Sequence, residues 1–172
     1  MKAIDRYSPK TRYSPKTIKK ATYTDPYLPK EGPHDMAVCK KCHAIYHNKR
    51  WSIDEGLYKK RGDNKKTLLV LCPACQKIRD KYPEGFVTLK GIYLKEHKQD
   101  ILNLIKHEEE KAMGSNPLER IIELKDRGDI VDITTTHEKL AQRIGKKVHK
   151  ACQGELEIKW TKDKITRVVW QR

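Results

Sequence analysis

Four of the five cysteines form two pairs that share one short spacing. The pairs are Cys39-x-x-Cys42 and Cys72-x-x-Cys75, and the 29 residues 43–71 separate them. Two intervening residues let one tight turn present two sulfur atoms to the same metal ion, and four thiolates satisfy a tetrahedral zinc ion. The sequence therefore predicts a Zn²⁺ site formed by Cys39, Cys42, Cys72 and Cys75.

The predicted zinc site is structural, because a catalytic zinc ion keeps one coordination position open and four cysteines leave none. Two other interpretations use the same residues. Four reduced cysteines could pack in a core, which would not need the paired spacing, and a redox Cys-x-x-Cys has no use for a second pair. His43 or His47 could replace one cysteine ligand. Cys152 lies in a helical apolar stripe, where cysteine acts as a small buried hydrophobe.

The charge balance indicates a polyanionic partner. The 172 residues carry a net charge of +15, 35% of them are charged, and the mean hydropathy is −0.86. This length suits one domain or two small ones, whose cores must be small, so a zinc ion would add folding energy. Residues 1–33, 34–90 and 129–172 have net charges of +5, +7 and +4, whereas residues 91–128 have −1. Nucleic acid is the commonest polyanion, and a merely solvated surface is the alternative.

Residues 1–33 are predicted to be a basic disordered arm. The hexapeptide Arg-Tyr-Ser-Pro-Lys-Thr occurs twice, at 6–11 and 12–17, and five prolines with few aliphatic residues prevent a packed core. Basic and aromatic side chains then alternate phosphate partners with stacking surfaces, unless the arm is only a solvated tail. The candidate RNA contacts here are Arg6, Tyr7, Lys10, Arg12, Tyr13 and Lys16.

Residues 34–90 are predicted to form a small zinc-ribbon module. A strand follows the first cysteine pair, an exposed basic loop covers 59–66, a strand returns over 67–71, and a short helix covers 74–82. Cations at a loop tip have nothing to pack against, which favours phosphate contact. The candidate contacts in this loop are Lys59, Lys60, Arg61, Lys65 and Lys66.

Residues 91–172 are predicted to form an α+β module. The pattern indicates helices over 92–113 and from Asn116 to near Gly128, then a strand over 129–134, a helix over 135–152 capped by Thr135, and two final strands. A β-α-β-β unit with a three-stranded sheet and helices on one face would bury the apolar stripes. On the 135–152 helix the candidate phosphate contacts, with a solvated face as the alternative, are Arg143, Lys146, Lys147 and Lys150.

The compartment follows from cysteine usage and hydropathy. No apolar run approaches 18 residues, so no membrane span is predicted, and the basic N-terminus lacks the apolar stretch of a secretory signal. Cysteines assigned to a metal indicate a reducing compartment. A cytoplasmic protein is therefore expected.

Several motifs resemble one known family. They are Cys39-x-x-Cys42 with Tyr46-His47 and Trp51, Leu71-Cys72-Pro73-Ala74-Cys75, Tyr82-Pro83-x-Gly85-Phe86-Val87, His97, Thr134-Thr135-Thr136 with Leu140-Ala141 and Ile144-Gly145, Gly154-Glu155-Leu156, and Val168-Val169-Trp170. Over residues 36–170 this string resembles a poorly characterised family of short prokaryotic zinc-ribbon proteins. The resemblance implies zinc at the four paired cysteines and supplies no activity. A more distant similarity connects that family to the nonsense-mediated-decay adaptor of the large ribosomal subunit, which binds ribosomes.

Three functions are compatible with these features. The first is a non-catalytic RNA-binding protein associated with the ribosome, with ribosomal proteins as further candidate contacts. The second is a DNA-binding zinc-ribbon protein that acts as a transcription accessory factor, although no helix-turn-helix, homeodomain or Cys2His2 pattern supports it. The third is an enzyme, but the sequence has no phosphate-cradling Gly-rich loop, G-x-S-x-G or H-E-x-x-H motif. We therefore expect the first.

Overall fold

The computed structural model describes residues 25–28, 36–61, 67–161 and 164–172. Within these ranges the chain forms nine strands and five helices. The strands are β1 (Ala37–Cys39), β2 (Ile45–His47), β3 (Arg50–Ser52), β4 (Leu68–Val70), β5 (Gly85–Lys90), β6 (Ile121–Asp126), β7 (Ile130–Thr135), β8 (Glu155–Trp160) and β9 (Thr166–Gln171). The helices are α1 (Glu55–Arg61), α2 (Pro73–Asp80), α3 (Ile92–Glu96), α4 (Lys98–Ser115) and α5 (Glu138–Cys152). The mixed α+β class is thereby confirmed.

The smaller sheet has the strand order β3-β2-β1-β4. Strands β1, β2 and β3 form an antiparallel meander, whereas β4 pairs with β1 in parallel, with Cys39 opposite Val70. A parallel neighbour needs a crossover connection, and here the crossover includes the β2–β3 hairpin and α1. The sheet therefore brings the C-terminal ends of β1 and β4 to the same edge.

Helix α1 occupies part of the predicted basic loop. The Asp54 carboxylate accepts a hydrogen bond from the Leu57 amide at 2.8 Å, the usual arrangement at a helix N-terminus. Residues 59–61 therefore lie in a helix, and the prediction that they belong to a loop is wrong. The Lys-Lys-Arg run contains good helix formers, and the cap at Asp54 decides the conformation.

The larger sheet has five strands, in the order β6-β7-β5-β9-β8, where three were predicted. Strand β5, which the sequence analysis grouped with residues 34–90, is the central strand, antiparallel to β7 and parallel to β9. Its residues alternate between buried and half-buried along the whole strand. The alternation of apolar Val87 and Leu89 with Thr88 is the signal that could have identified it.

The second additional strand, β6, replaces a predicted helix. Asn116 and Pro117 have the pattern of a helix start, but the Asn116 side chain accepts from the Leu118 amide at 3.1 Å in a turn. The chain then extends and pairs with β7 from Ile121 to Asp126. The predicted helix over 116–128 is therefore wrong, because pairing with β7 outweighs the local capping pattern.

One face of the larger sheet is covered by α4 and α5. Leu140, Ile144 and Val148 of α5 are fully buried against strand residues such as Val168 and Trp170. Gly145 allows close approach, since a Cβ there would lie 2.4 Å from Cγ1 of Val168. The helix begins after His137, not Thr135, which ends β7 and donates its hydroxyl to the His137 carbonyl.

Among the described residues, no helix combines the length and the apolar composition needed to cross a bilayer.

Candidate metal centre and basic surfaces

The parallel pairing of β1 with β4 brings the two cysteine pairs together. Cys39 is the last residue of β1, and Cys72 follows β4 by two positions. Because both strands run in the same direction, their ends meet at one edge, where the Cys72 amide donates to Sγ of Cys39 at 3.4 Å. The chain between the two pairs therefore starts and ends at the candidate metal centre.

The first pair lies on a tight turn between β1 and β2. The Cys39 amide donates to the Ala44 carbonyl at 2.8 Å, and the His43 amide donates back to the Cys39 carbonyl at 2.9 Å. His43 closes this turn in the left-handed region, with φ of 60°. Its imidazole stacks on Tyr58 of α1 with ring centroids 4.8 Å apart, so α1 is held against the turn.

The second pair lies on the first turn of α2. Cys72 is the N-cap, and its Sγ accepts from the Cys75 amide at 3.4 Å, while Pro73 occupies the first helical turn. The helix predicted over 74–82 is thus present over Pro73–Asp80 and includes Cys75. A helix N-terminus favours negative charge, because its free amides and dipole point at the ligand.

The geometry of the four sulfur atoms fits one tetrahedral metal ion. The Sγ atoms of Cys39, Cys42, Cys72 and Cys75 all lie within 4.8 Å of one another, and those of Cys42 and Cys72 are 3.6 Å apart. Zinc–sulfur bonds of about 2.3 Å in a tetrahedron place the sulfur atoms about 3.8 Å apart. Cys42 is half-buried and the other three are fully buried. The four residues could therefore hold a metal ion.

The pKa values of Cys42, Cys72 and Cys75 depend on hydrogen bonds to, and charges on, the neighbouring cysteines. The pKa of Cys42 falls to about 4, because the Cys72 thiol donates a hydrogen bond to its thiolate. Donating that bond, together with burial, raises the pKa of Cys72. Burial and the neighbouring Cys42 charge raise the pKa of Cys75 to about 12. Without a cation, burial and mutual repulsion oppose four thiolates in this space, whereas a bound divalent ion would favour them.

Arg120 is a residue of the centre that sequence reasoning missed. Its Nη1 lies 3.5 Å from Sγ of Cys75 and donates to it. The Arg120 amide donates to the Thr136 hydroxyl at 2.8 Å, which fixes the turn before β6. A guanidinium there would offset part of the charge of about −2 on a four-thiolate zinc site. Arg120 follows Cys75 by 45 positions, so no local sequence pattern indicates this contact.

The remaining candidate ligands lie outside this sulfur group. His43 and His47 are exposed and do not belong to it. Cys152 ends α5 and is half-buried against the core of the larger sheet.

A buried ion cluster joins α2 to β5 and to the segment 25–28. The Lys77 ammonium lies 2.7 Å from a Glu84 carboxylate oxygen and 2.5 Å from one of Asp25, and its side chain is 5% exposed. Desolvation raises the pKa of Glu84. Glu84, His137 and Glu138 also lie close enough together to share a cation, but the Lys77 ammonium already neutralises Glu84.

The predicted basic contacts divide into three sets. Lys59 and Lys60 are exposed on α1, beside the Tyr58 that stacks on the first cysteine turn. Arg61 is the last residue of α1. A second set lies on α5, and the third set falls outside the described residues, namely Arg6, Tyr7, Lys10, Arg12, Tyr13, Lys16, Lys65 and Lys66.

Helix α5 presents two of its four candidate cations freely to solvent. Lys146 and Lys150 are exposed, and Lys139 extends the same face at the spacing of two helical turns. Arg143 is instead 3.3 Å from the buried Glu119 carboxylate, and Lys147 is 3.6 Å from that of Glu108. These two side chains compensate buried acids, and part of their charge is used within the fold.

Comparison of the chain with protein-family models, with curated proteins and with solved structures finds no match. The similarity to the zinc-ribbon family therefore stays a prediction.

Proposed function

We propose that this chain is a non-catalytic zinc protein that binds RNA in the cytoplasm and associates with the ribosome. The observation that carries the proposal is the placement of exposed lysines on two helices, each of which packs against the rest of the fold with its opposite side. Lys59 and Lys60 lie on α1, which stacks on the cysteine turn, and Lys146 and Lys150 lie on α5, whose apolar side is in the core. Cations on rigid elements suit a phosphate backbone of defined path.

Zinc is the proposed metal because of the donor set. Four sulfur ligands select zinc or iron–sulfur chemistry over the oxygen-preferring ions. The four cysteines, all within 4.8 Å, would hold one ion and leave no coordination position open for water or substrate. The ion would then fix the edge from which α1 and its lysines project.

RNA is favoured over a neutral partner by the distribution of charge. The net charge of +15 includes +5 from residues 1–33 and +7 from residues 34–90. A polyanion that contacts α1, α5 and the arm together would bind more tightly, because each of the three supplies cations for its phosphates. The ribosome offers the most abundant structured RNA in the compartment expected for a protein of reduced cysteines.

Sedimentation tests the proposal. A lysate of cells that make the protein is run on a sucrose gradient at low and at high salt, and the chain is followed by immunoblot. We expect co-migration with one ribosomal subunit at low salt and release at high salt. A protein that stays at the top of the low-salt gradient, or that yields footprints on genomic DNA, would contradict the ribosomal assignment.

A further inference from the structure

The second face of the larger sheet carries neither α4 nor α5. On β5, Val87 and Leu89 are buried on the helix side, so the alternating residues Phe86, Thr88 and Lys90 lie on the other side, which we call the open face. All three are half-buried. The open face therefore presents side chains from the central strand of the five-stranded sheet.

An aromatic ring and a guanidinium stack on this face. Phe86, the single phenylalanine of the chain, pairs in register with Arg167 of β9, and the Arg167 guanidinium lies 4.6 Å from the ring centroid. Arg167 is exposed. A guanidinium that stacks on an aromatic ring is held flat, with its other side open to solvent and its N–H groups free to donate in the plane.

Three carboxylates of this face have cationic partners. The pairs are Glu123 with Lys125 at 3.1 Å, Asp132 with Arg127 at 3.6 Å and Glu157 with Lys159 at 2.7 Å. Within the described ranges Arg167 has no carboxylate within ion-pair distance, and Lys159 is its cross-strand neighbour. Among the described residues the Arg167 charge is therefore uncompensated, which favours an anionic occupant at this position over a neutral protein surface.

An exposed indole lies at the same end of the sheet. Trp160 follows Lys159 on the edge strand β8, pairs with Thr166 next to Arg167, and is 63% exposed. Trp160 alternates with Lys159 along β8 and so lies on the helix side with Leu156 and Ile158, which leaves Phe86 as the aromatic partner of Arg167 on the open face. Bases inside a duplex are inaccessible to such a surface, whereas unpaired bases stack on aromatic and guanidinium planes.

We propose that the Phe86–Arg167 pair is a base-stacking site for an unpaired RNA nucleotide. The proposal rests on the RNA-binding function proposed above and assigns the base contact to the open face. Lys59, Lys60, Lys146 and Lys150 would contact phosphates elsewhere on the same RNA. Base contact at the sheet and phosphate contact at the helices are separable, because only the second depends on salt.

The test uses the full chain and a nine-nucleotide single-stranded RNA with 2-aminopurine at its centre. Two variants address the pair, Arg167→Lys, which keeps the charge and loses the plane, and Phe86→Leu, which keeps the apolar volume and loses the ring. We expect each to weaken binding about 5- to 100-fold, the range of one lost base stack. The slope of log affinity against log salt should stay unchanged, and the quenching of 2-aminopurine should fall.

Arg172→Lys is the matched control. The Arg172 guanidinium stacks on Tyr93 at 4.1 Å, the same kind of contact away from the Phe86 pair, so its loss should leave binding and quenching unchanged. Urea midpoints of all variants report whether the fold is retained. Unchanged affinity and quenching in folded Arg167→Lys would overturn the stacking site and leave RNA binding intact. A wild-type chain that binds no RNA at any salt would instead overturn the proposed function.

Discussion

Cys72 combines two roles. It contributes a sulfur to the centre and caps α2, where its Sγ accepts from the Cys75 amide. Its amide also donates to Cys39, so it connects both cysteine pairs. The position is therefore the most sensitive single test of the metal proposal.

Replacing Cys72 with serine should remove the metal. Serine can still cap a helix, so the lost property is the thiolate ligand. We expect about one zinc ion per wild-type chain and almost none in Cys72→Ser, measured by elemental analysis of protein purified without chelators. Cys152→Ser is the control and should keep its zinc, because Cys152 lies outside the sulfur group. Full zinc occupancy in Cys72→Ser would refute the site.

Zinc binding should release the protons of those thiols whose pKa values are raised. At neutral pH the metal-free centre holds thiols at Cys72 and Cys75, whose pKa values are raised, and a thiolate at Cys42, whose pKa is about 4. Binding at pH 7 should thus displace about two protons or more, and affinity should rise about 100-fold per pH unit. Calorimetry in buffers of different ionisation enthalpy measures this number. A release of less than one proton would contradict the ionisation pattern described.

How far the sequence predicts the site depends on whether the interaction is local. The cysteine ligands were predictable because each pair is complete within four residues, and the structure places all four together. Arg120 was not, because it reaches Cys75 only through the turn between α4 and β6. The role of Lys77 was not predictable either. In the sequence it resembles a surface lysine, but in the fold Asp25 and Glu84 surround its ammonium group.

At the scale of elements, α2 is anchored at its N-terminus and at Lys77. Its N-terminus holds the second cysteine pair, and its Lys77 is buried between Asp25 and Glu84. Replacing Lys77 with methionine would leave two carboxylates in a low-dielectric site without a cation. Such a change costs about 3–5 kcal/mol of unfolding free energy in other buried pairs.

We therefore expect Lys77→Met to lower the unfolding free energy by about 3–5 kcal/mol in urea titrations. Adding Glu84→Gln should recover part of the loss, because one buried charge disappears. Arg79→Gln breaks an ion pair whose arginine is 60% exposed and should leave the urea midpoint almost unchanged. Equal losses in Lys77→Met and Arg79→Gln would show that the buried cluster has no special role in stability.

The exposed lysines of α5 allow a separate prediction about how RNA affinity depends on salt. Lys146→Ala with Lys150→Ala should reduce the steepness of log affinity for single-stranded RNA against log salt by about 1.4, since each phosphate contact contributes about 0.7. The measurement is fluorescence anisotropy over a fourfold range of salt. Lys106→Ala with Lys111→Ala removes the same charge from exposed positions of α4 and is the control. Identical slopes in both double variants would indicate a general charge effect and no contact at α5.

The misassigned elements share one cause. Asn116-Pro117 and the Lys-Lys-Arg run were interpreted from neighbouring residues, yet Asn116 forms a turn and residues 59–61 complete α1. Strand β6 exists because β7 offers a hydrogen-bonding edge, and no local pattern shows that edge. Elements with strong periodicity, such as α4, α5 and β8, were predictable because their burial pattern is internal to the segment.

At the scale of the whole molecule, the predicted arm includes one segment that the structure describes, residues 25–28. Residues 25–28 contact the fold, since Asp25 pairs with Lys77 and the Tyr27 ring lies 5.2 Å from that of Tyr82. The structure thus indicates where a truncation should end. Removing residues 1–24 should spare these contacts, and removing residues 1–28 should not.

Deletion of residues 1–24 should leave the urea midpoint unchanged and weaken RNA binding, because this segment carries much of the arm's basic charge. Deletion of residues 1–28 should in addition lower the midpoint, because Lys77 loses Asp25. Anisotropy and urea titration on the same samples separate the two effects. If the 1–24 deletion binds RNA as tightly as the full chain, the arm is not a contact segment.

The parallel pair β1–β4 also sets the order in which the centre can assemble. The turn that carries Cys39 and Cys42 closes within a few residues, whereas Cys72 arrives only after the chain between the pairs has folded back. Local hairpins form in microseconds, and non-local pairings wait for loop closure. A nascent chain should accordingly capture its ion with two sulfur atoms first and complete the tetrahedron later. During synthesis, the interval before β4 emerges is the period in which a competing thiol could take the metal away.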